Sequence, residues 1–422
     1  MKADESHNWG VHNIPAKQLV NKGRLQRDIQ ALGAIGAGPL GITRRAYTLE
    51  DSKARRMTAS LMEDAGLQVR IDPVGNIFGH RAGQDPQKPV IMFGSHVDTV
   101  PNGGMFDGAL GVLGGIEAMR AFNEAGTVTR SPLEVAAFVD EEGAWVSGTF
   151  GSRAFVGQVR AQELRATTRD GQTVWEKMTS AGLAPDNLAG SVANYPVAAY
   201  LELHIEQGGV LERDGIDIGI VTGIVGITRG AVTVAGTTNH AGTTPMHMRD
   251  DALVKAARFI TFVHEEARRG NDMVATIGQI QVSPGAVNVI PGEARLSLEM
   301  RSMDQSRIQV AVERFKLGAA ALGGVQVDLG LAKPPVLMDA HIMDLIEEAC
   351  KDSGYPYKRI PSGAGHDAMC VARIAPAGMI FVPSKGGISH SGRECTSWDQ
   401  AARGVEVLAR TVLRLDARTP DS

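Results

Sequence analysis

Residues 94–111 read GSHVDTVPNGGMFDGALG and follow the apolar run 89–93, PVIMF, which is typical of a buried parallel strand. His96 and Asp98 are two residues apart, so they lie on the same side of an extended backbone. A turn rich in proline and glycine then leads to Asp107, and a helix begins directly after it. A histidine and carboxylates at the end of a strand predict a site at the carboxyl edge of an α/β sheet.

Three glycines, Gly108, Gly111 and Gly114, open the helix that follows this turn. Their spacing is not the G-x-G-x-x-G of a dinucleotide-binding loop, and they follow a long turn instead of a strand. We interpret them as positions where the helix packs closely on the sheet. A lone His-x-Asp is more often a surface pair than a ligand set, so a metal site requires further ligands elsewhere.

The composition is typical of a globular protein. The 422 residues are 43% hydrophobic and 21% charged, and the formal net charge is −4. Because the chain has no basic block, neither nucleic acid nor a membrane surface is expected as a partner. Three cysteines without a C-x-x-C pair indicate a reducing compartment, and residues 1–13 lack the apolar core of a signal peptide. We therefore expect a cytoplasmic protein.

A run of three acids follows another apolar stretch. Residues 132–140 read as a strand that ends in Asp140, Glu141 and Glu142. Like charges at the end of a strand repel one another unless a cation neutralises them. A metal-binding loop is one interpretation of this run, and a solvated turn is the alternative.

Two more histidines occupy comparable positions. His204 lies within the predicted strand 197–206, and its neighbouring acids on the same face favour the edge of a site over an ordinary core position. His390 lies in the glycine-rich loop 384–394, which follows a predicted strand near the end of the chain. Both histidines therefore join the candidate ligands.

The sequence changes character at about residue 214. Residues 216–236 are rich in Ile, Val, Thr and Gly and predict a hairpin, and the order up to residue 332 is β-β-α-β-β-α-β. We predict an α/β fold in which residues 1–213 and 333–422 form a discontinuous dinuclear-metal catalytic domain, with a mixed sheet flanked by helices. Residues 214–332 form an inserted α+β domain of one sheet and two helices.

The candidate metal ligands all lie at strand ends or in glycine-rich loops of the discontinuous domain. They are His96, Asp107, Glu142, His204 and His390. Histidine and carboxylate donors suit zinc-like divalent ions, but five donors exceed what one tetrahedral catalytic ion needs. A shared aspartate resolves the excess, because two-metal hydrolytic sites hold their ions about 3.5–4 Å apart. We therefore expect two divalent ions per subunit, with zinc favoured over manganese, cobalt or nickel.

Two further acids fit such a site without serving as ligands. A water shared by two cations loses a proton at neutral pH. Glu141, next to a predicted ligand, is free to move that proton as a general base. Asp98 is placed to orient His96 by accepting a hydrogen bond from its ring.

The chain resembles the M20 family of metal-dependent amidohydrolases, in the branch of N-carbamoyl-L-amino-acid hydrolases, allantoate amidohydrolases and β-ureidopropionases. The resemblance runs from about residue 20 to residue 415. It rests on six motifs, which are GSHVDTVPNGGMFDGALGV, DEEG, HIEQG, NHAGTTPM, NVIPG and GGISHS. It implies the same five metal ligands, with Asp107 bridging the two ions and Glu141 as the base.

The resemblance also implies roles outside the metal site. Residues 214–332 would form a lid through which two subunits make a homodimer. His240 would polarise the scissile carbonyl and stabilise its oxyanion, and Arg301 would pair with the carboxylate of a small substrate. The remaining substrate-binding positions implied are Gln207, Asn288 and Gly363.

The chain departs from the family pattern after DEEG, where Ala144-Trp145-Val146 stands in place of the usual Ala-Arg-Phe. No metal ligand is affected, so the predicted hydrolysis is unchanged. Trp145 lies close to the metal loop, and we expect it to reshape the substrate pocket. The identity of the substrate is therefore less constrained than the type of reaction.

We expect hydrolysis of the ureido bond of an N-carbamoyl-L-amino acid, with amino acid, ammonia and carbon dioxide as products. Allantoate is the nearest alternative substrate, and other N-acyl or amide carboxylates follow. A metal-dependent small-ligand binder without catalysis is the alternative from another class, although Glu141 would then have no purpose. A serine hydrolase is disfavoured because the chain has no G-x-S-x-G elbow.

Overall fold

The computed structural model describes residues 19–145, 147–270 and 272–418. These residues form two compact units. The larger unit comprises the described residues up to Thr222 and from Met338 onward, and the smaller unit is Gly223–Leu337. The predicted boundaries at 214 and 332 are therefore shifted toward the C-terminus by nine and five residues.

The strands, in chain order, are β1 Ala37–Gly38, β2 Gly41–Ile42, β3 Gln68–Ile71, β4 Ile77–Arg81, β5 Val90–His96, β6 Leu133–Phe138, β7 Val197–Ile205, β8 Ile218–Ile224, β9 Gly226–Ala235, β10 Asn239–His240, β11 Met273–Thr276, β12 Ile280–Ser283, β13 Val289–Ile290, β14 Glu293–Ser302, β15 Val325–Lys333, β16 Val336–Leu337, β17 Tyr357–Ser362 and β18 Ala377–Val382.

The α-helices, in chain order, are α1 Lys22–Gly33, α2 Leu49–Asp64, α3 Ala109–Glu124, α4 Phe150–Phe155, α5 Ala161–Leu164, α6 Val174–Ser180, α7 Val210–Asp214, α8 Ala252–Ala267, α9 Gln305–Leu322, α10 Ala340–Ser353, α11 Ala368–Val371 and α12 Trp398–Arg418. Short 3₁₀ helices cover Pro185–Ser191, Met246–Met248 and Lys385–Gly387.

A mixed sheet forms the centre of the larger unit. Within the described ranges its strands follow the order β8-β18-β7-β5-β6-β4-β3, with β17 paired to β8. Strand β16 pairs with Gly223 and Ile224 at the end of β8, which are residues of the smaller unit. The four central strands of the sheet, β18, β7, β5 and β6, are parallel, and the outer pairs are antiparallel. The predicted α/β class with a mixed sheet flanked by helices is confirmed. Parallel central strands place several strand ends at one edge, which is where the site lies.

Helix α3 packs directly on this sheet and is buried on nearly all sides. An all-round buried helix needs apolar or very small residues on every face. A Cβ at Gly111 would lie 2.4 Å from the carbonyl oxygen of Leu203, so only glycine permits this approach. The structure therefore agrees with the packing interpretation of the glycines, and it places the N-terminus of α3 at the end of β5.

The ends of the helices follow local capping chemistry. The Thr48 hydroxyl accepts the N–H of Asp51 and begins α2, as its capping-box-like sequence predicts. Helix α1, predicted from residue 17, begins at Lys22 because the Asn21 side chain accepts the N–H of Arg24. Residues 17 and 18 lie outside the described residues.

The smaller unit contains an antiparallel sheet in the order β11-β14-β9-β15, with β12 also paired to β14. The sequence predicts a single strand over 273–282. The structure has two strands there, β11 and β12, which pair with different halves of β14. Helices α8 and α9 cover the sheet and enclose an apolar core around Phe259 and Phe315. The predicted sheet and two helices are present in this unit, together with a separate two-stranded sheet of β10 and β13 and the 3₁₀ helix Met246–Met248.

The predicted hairpin over residues 216–236 is wrong. Strand β8 pairs with β18 in the larger sheet, whereas β9 pairs with β14 and β15 in the smaller one. The two strands are consecutive and equally rich in β-branched residues, so their composition does not reveal that they belong to different sheets. This is also why the unit boundary falls at Gly223 instead of residue 214.

In the part of the chain that the structure describes, no helix combines the length and apolar character needed to cross a bilayer.

Candidate metal centre

The four parallel strands bring their carboxyl ends to one edge of the larger sheet, and polar side chains gather there. His96 is the last residue of β5, and His204 lies one residue before the end of β7. Glu142 follows β6, and His390 follows β18 after a glycine-rich turn. Asp107 reaches the same edge from the turn between β5 and α3. Residues far apart in the chain thus meet because parallel strands end together.

The five predicted ligands fall into two clusters that share Asp107. The first cluster is His96, Asp107 and His204, and the second is Asp107, Glu142 and His390. Within each cluster the potential ligand atoms all lie within 4.8 Å of one another.

The two oxygens of Asp107 face different clusters. Asp107 Oδ1 lies 3.1 Å from His204 Nε2 and 3.6 Å from His96 Nε2. Asp107 Oδ2 lies 3.4 Å from His390 Nε2, which is in turn 3.6 Å from Glu142 Oε2. A carboxylate with one oxygen in each cluster has the geometry of a bridge between two ions.

The rings of the two buried histidines are held by backbone carbonyls. His96 Nδ1 lies 3.1 Å from the carbonyl oxygen of Asp98, and His204 Nδ1 lies 2.9 Å from that of Ile205. A protonated Nδ1 donates these bonds and leaves each Nε2 with a free lone pair. The N–H of Gly108 donates to His204 Nε2 at 3.2 Å, which supports the same tautomer. Both Nε2 atoms therefore point into the first cluster as donors to a metal.

The Asp98 carboxylate holds the acidic loop. Its two oxygens accept the backbone N–H groups of Glu141 at 3.3 Å and Glu142 at 3.2 Å. Its distance to His96 Nδ1 is 3.6 Å, longer than a hydrogen bond, so the ring is oriented by the Asp98 carbonyl instead. Asp98 thus connects the end of β5 with the loop after β6.

Burial dominates the electrostatics of the acidic loop. It raises the pKa of the Glu141 carboxyl well above its ordinary value, with nearby Asp367 adding to the rise and His96 opposing it. Burial and the charge of Asp107 raise the pKa of Glu142 to about 7. Burial opposes ionisation of Asp107 as well, but the three histidines around its carboxylate hold its pKa well below the usual range. An ionised Asp107 thus lies beside carboxyl groups whose pKa values are raised.

The donor set fits divalent cations. Glu142 Oε1 is buried and has no hydrogen-bond partner among the described residues, a costly arrangement that a cation would relieve. Each cluster offers imidazole nitrogen and carboxylate oxygen, the donors that zinc and related ions accept. The site is tightly built, because a Cβ at Gly108 would lie 2.4 Å from His96 Nε2.

Backbone strain is concentrated around the clusters. Asp140, Gln207 and His390 have φ values of 54°, 58° and 53°, in the left-handed region that residues other than glycine rarely adopt. The strained backbone places Gln207 Nε2 2.8 Å from Asp107 Oδ2, and the amide donates a hydrogen bond to the bridge. Such strain persists where the surrounding structure enforces it, and it is common at functional sites.

Two residues outside the predicted set, Glu394 and Ser389, support Asp107. Glu394 is buried, and its Oε1 accepts the backbone N–H groups of Phe106 at 3.0 Å and Asp107 at 3.1 Å. The hydroxyl of Ser389 lies 3.0 Å from Glu394 Oε2 and 3.2 Å from Asp107 Oδ2. The only signal for them in the sequence is their proximity to His390.

Two more residues outside the predicted set, His366 and Asp367, lie next to His204. The ring of His366 packs edge-on against that of His204 at a centroid distance of 4.5 Å, and burial lowers the pKa of His366 well below its ordinary value. The neighbouring Asp367 is fully buried, and burial together with the charge of Glu202 raises its pKa to about 8. Their signal in the sequence is a His-Asp pair in the glycine-rich turn that contains the exposed Gly363.

The smaller unit carries the other implied substrate residues. His240 is exposed, and its Nδ1 accepts the N–H groups of Gly242 at 3.0 Å and Thr243 at 3.2 Å. Asn288 lies beside it, because its carbonyl accepts the N–H of Ala241. Arg301 is on β14, where its Nε donates to Glu299 Oε1 at 2.8 Å. The unit therefore places His240 and Asn288 side by side.

The fold and the clusters together define a hydrolase built around a metal-binding site. The family model of peptidase family M20/M25/M40 matches residues 92–414, and the chain belongs to this family. It is an enzyme of the amidohydrolase type, which cleaves linear amide carbon–nitrogen bonds. The family named from the six motifs is thereby confirmed.

Individual relatives cover almost the entire chain. An N-carbamoyl-L-amino acid amidohydrolase from Geobacillus stearothermophilus is 42% identical over 94% of this chain and 99% of its own. An allantoate amidohydrolase from Bacillus subtilis is 36% identical over 94% and 99%. The crystal structure of an amidase of the hydantoinase/carbamoylase family from Burkholderia multivorans matches with a TM-score of 0.89, at 34% identity over 94% and 98%.

Proposed function

We propose that the protein hydrolyses the ureido bond of an N-carbamoyl-L-amino acid with two divalent cations per subunit. The observation that carries this proposal is the position of Asp107, with one carboxylate oxygen in each cluster. The 42% identical N-carbamoyl-L-amino acid amidohydrolase supports this choice of substrate. One water is consumed, and amino acid, ammonia and carbon dioxide are formed.

One cation would be held by His96 and His204, the other by Glu142 and His390, and both by Asp107. Bound there, the two ions would lower the pKa of a water molecule and polarise the carbonyl of the substrate. The protein contributes rigidity to this arrangement. The carbonyls of Asp98 and Ile205 fix the histidine rings, and Gln207 donates a hydrogen bond to Asp107.

Glu141 acts as the general base and then as the general acid. It precedes Glu142 in the chain and belongs to neither cluster, and its Oε2 lies 3.7 Å from Nε2 of His96 in the first cluster. Its raised pKa favours taking a proton from the attacking water and passing it to the departing nitrogen. The Asp98 carboxylate keeps this side chain in place by binding the backbone N–H of Glu141.

His240 stabilises the oxyanion of the tetrahedral intermediate. Because its Nδ1 accepts two backbone N–H groups, the neutral ring carries its proton on Nε2. An exposed, neutral N–H donor held in one orientation is what an oxyanion requires. Arg301 binds the carboxylate of the substrate, and Gln207, Asn288 and Gly363 contribute further contacts.

We also propose that the protein is a homodimer assembled through the smaller unit. This unit exposes large apolar side chains on the outer face of α9 and on β15, among them Leu317 at 72% and Leu331 at 43% exposure. Covering such residues is a common reason for two copies to associate. Light scattering coupled to gel filtration measures the assembly directly, and a monomeric mass would contradict it.

The deciding experiment removes the metals and returns them. The protein is treated with a chelator, dialysed, and supplied with Zn²⁺, Mn²⁺ or Co²⁺, and ammonia release is measured with N-carbamoyl-L-amino acids. We expect activity to vanish with the chelator and to return with at least one ion. Full activity in the protein shown to be free of metal would refute the proposal.

Allantoate is the second candidate substrate, because an allantoate amidohydrolase is 36% identical over nearly the full length. The same assay distinguishes the two. A higher kcat/KM for allantoate than for every N-carbamoyl-L-amino acid in the panel would assign the protein to allantoate. N-acetyl-L-amino acids serve as the control for a general N-acyl hydrolase.

A further inference from the structure

A pocket of about 310 Å³ lies beside the second cluster, within the larger unit. Glu142 forms part of its wall, together with the loop from Thr99 to Pro101 that follows β5. Arg45 and Trp145 form another part of the lining. The volume is at the lower end of those that bind small molecules, and it is sufficient for one substituent of a small substrate.

Trp145 forms one wall of the pocket, with its ring held in one orientation and two cationic side chains close to it. The indole N–H donates to the carbonyl of Ala46 at 2.7 Å, which orients the ring. The guanidinium carbon of Arg45 lies 4.8 Å from the centre of the ring, and Lys177 Nζ lies 3.7 Å from it. Trp145 therefore presents a fixed aromatic wall with a guanidinium group at its face.

The positive charges of the pocket are only partly neutralised by the protein. Lys177 is paired with Asp170 at 2.5 Å, and this hydrogen bond is the main reason that the pKa of Asp170 is lowered to about 2. Arg45 Nε is buried and has no hydrogen-bond acceptor among the residues described. Arg169 adds a second guanidinium to the lining, and its side chain is exposed. The carboxylates of Glu142 and Asp170 also line the pocket. Asp170 is already engaged by Lys177, so the groups that the pocket offers to an anion from outside the protein are the guanidinium groups of Arg45 and Arg169.

We propose that this pocket binds an acidic side chain of the substrate, so that the preferred substrates are N-carbamoyl derivatives of dicarboxylic amino acids. This inference rests on the proposed function. The ureido carbonyl must reach the clusters, and Glu142 belongs both to a cluster and to the pocket. A substituent on the neighbouring carbon of the substrate therefore enters next to Arg45. Guanidinium groups bind carboxylates through charge-assisted hydrogen bonds.

A purely structural role for Arg45 makes a different prediction. Stacking on an indole stabilises a guanidinium whether or not an anion is bound. If Arg45 served only this contact, its loss would affect acidic and neutral substrates equally. If it bound the α-carboxylate, which all the substrates share, the effect would also be equal. Only a contact with the acidic side chain changes the preference.

The experiment compares kcat/KM for N-carbamoyl-L-glutamate and N-carbamoyl-L-aspartate with that for N-carbamoyl-L-leucine. We expect the wild-type enzyme to prefer an acidic substrate by at least about tenfold. Arg45→Met should lower the ratio of acidic to neutral kcat/KM by about 10- to 100-fold, the worth of a hydrogen bond between charged groups. Arg45→Lys should retain an intermediate ratio, and Arg169→Gln should lower it by less than Arg45→Met.

Arg165→Gln is the matched control, because it removes an exposed guanidinium that stacks on Trp175 instead of Trp145. Binding supplies a second readout, with N-carbamoyl-L-glutamate titrated into the metal-loaded Glu141→Gln variant with and without Arg45→Met. A wild-type preference for leucine, or a ratio unchanged by Arg45→Met, would overturn the inference while leaving the proposed function intact. Failure to hydrolyse any N-carbamoyl substrate would instead refute the proposed function.

Discussion

The Glu394 carboxylate accepts the backbone N–H of Asp107 at 3.1 Å, across 287 positions of the chain. The same Oε1 atom accepts the N–H of Phe106, and the Ser389 hydroxyl lies within reach of the other oxygen. Glu394 contacts no potential metal-binding atom of either cluster directly, but it fixes the turn from which Asp107 projects. We therefore assign it a positioning role, which is separate from binding the metals.

We expect Glu394→Gln to weaken the two hydrogen bonds that fix this turn. A neutral amide accepts backbone N–H groups less strongly than a carboxylate, so kcat/KM should fall by about 10- to 100-fold, with a reduced metal content. Elemental analysis of the purified protein and the ammonia assay measure the two effects. Glu348→Gln, on an exposed pair with Arg418, is the control. Unchanged metal content and activity would show that Glu394 does not position Asp107.

Glu141→Gln should separate proton transfer from metal binding. General acid–base catalysis contributes about 10²–10⁴-fold, so we expect kcat to fall within that range, while both metals stay bound because Glu141 belongs to neither cluster. Glu142→Gln is the contrast, since it removes a ligand and should lower the metal content. A Glu141→Gln protein that has lost a metal would instead place Glu141 among the ligands.

The convergence of the candidate ligands could be foreseen because each carries its own signal. His96, Glu142 and His390 all stand at or just beyond the end of an apolar run, and parallel strands bring such ends together. The order of strands was not required for that prediction, only their parallel direction. The sequence predicts helices over 305–322 and 340–353, and α9 and α10 have these limits, because amphipathic periodicity and capping residues are local properties.

What the sequence could not reveal is which distant groups meet. Glu394 looks like any loop carboxylate until the fold brings it to the N–H of Asp107. The carboxylate of Asp98 was expected to contact His96, but two backbone N–H groups of the acidic loop compete for it and bind at shorter distance. The division between β8 and β9 depends on their partner strands, and a run of β-branched residues carries no information about partners.

Asp72→Asn should change how stability depends on pH. Burial raises the pKa of Asp72 to about 6, above its value in the unfolded chain, so folding favours the protonated form. The contribution of Asp72 to the free energy of unfolding is fully present below about pH 4. It is lost as the pH rises through 6, and the loss amounts to up to about 3 kcal/mol. The wild type should therefore gain stability relative to the variant as the pH falls from 7 to 4.

Thermal unfolding of both proteins across this pH range measures the effect. Asp399→Asn is the sign control, because the hydrogen bond from Lys22 lowers the pKa of Asp399 and its relative effect must run in the opposite direction. The link to the site is the side chain of Asn76, which hydrogen-bonds Asp72 and accepts the N–H of Val139 just before the acidic loop. A difference in stability that does not vary with pH would contradict the raised pKa.

Gly108→Ala should disrupt the first cluster, because the substitution adds one carbon atom next to the His96 ring. The new Cβ would lie 2.4 Å from His96 Nε2, so the imidazole must leave the position from which it faces Asp107. Gly108 also has a φ of +64°, where a side chain costs about 1 kcal/mol, so strain and collision must be separated. Gly126→Ala does this, because Gly126 has a φ of +63° and no atom within 4 Å of its added Cβ. We expect both variants to lose a few degrees of Tm, but only Gly108→Ala to lose metal and at least about 100-fold in kcat/KM. Equal metal content in the two variants would show that the His96 ring can move without consequence, and that the tight approach at Gly108 does not serve the site.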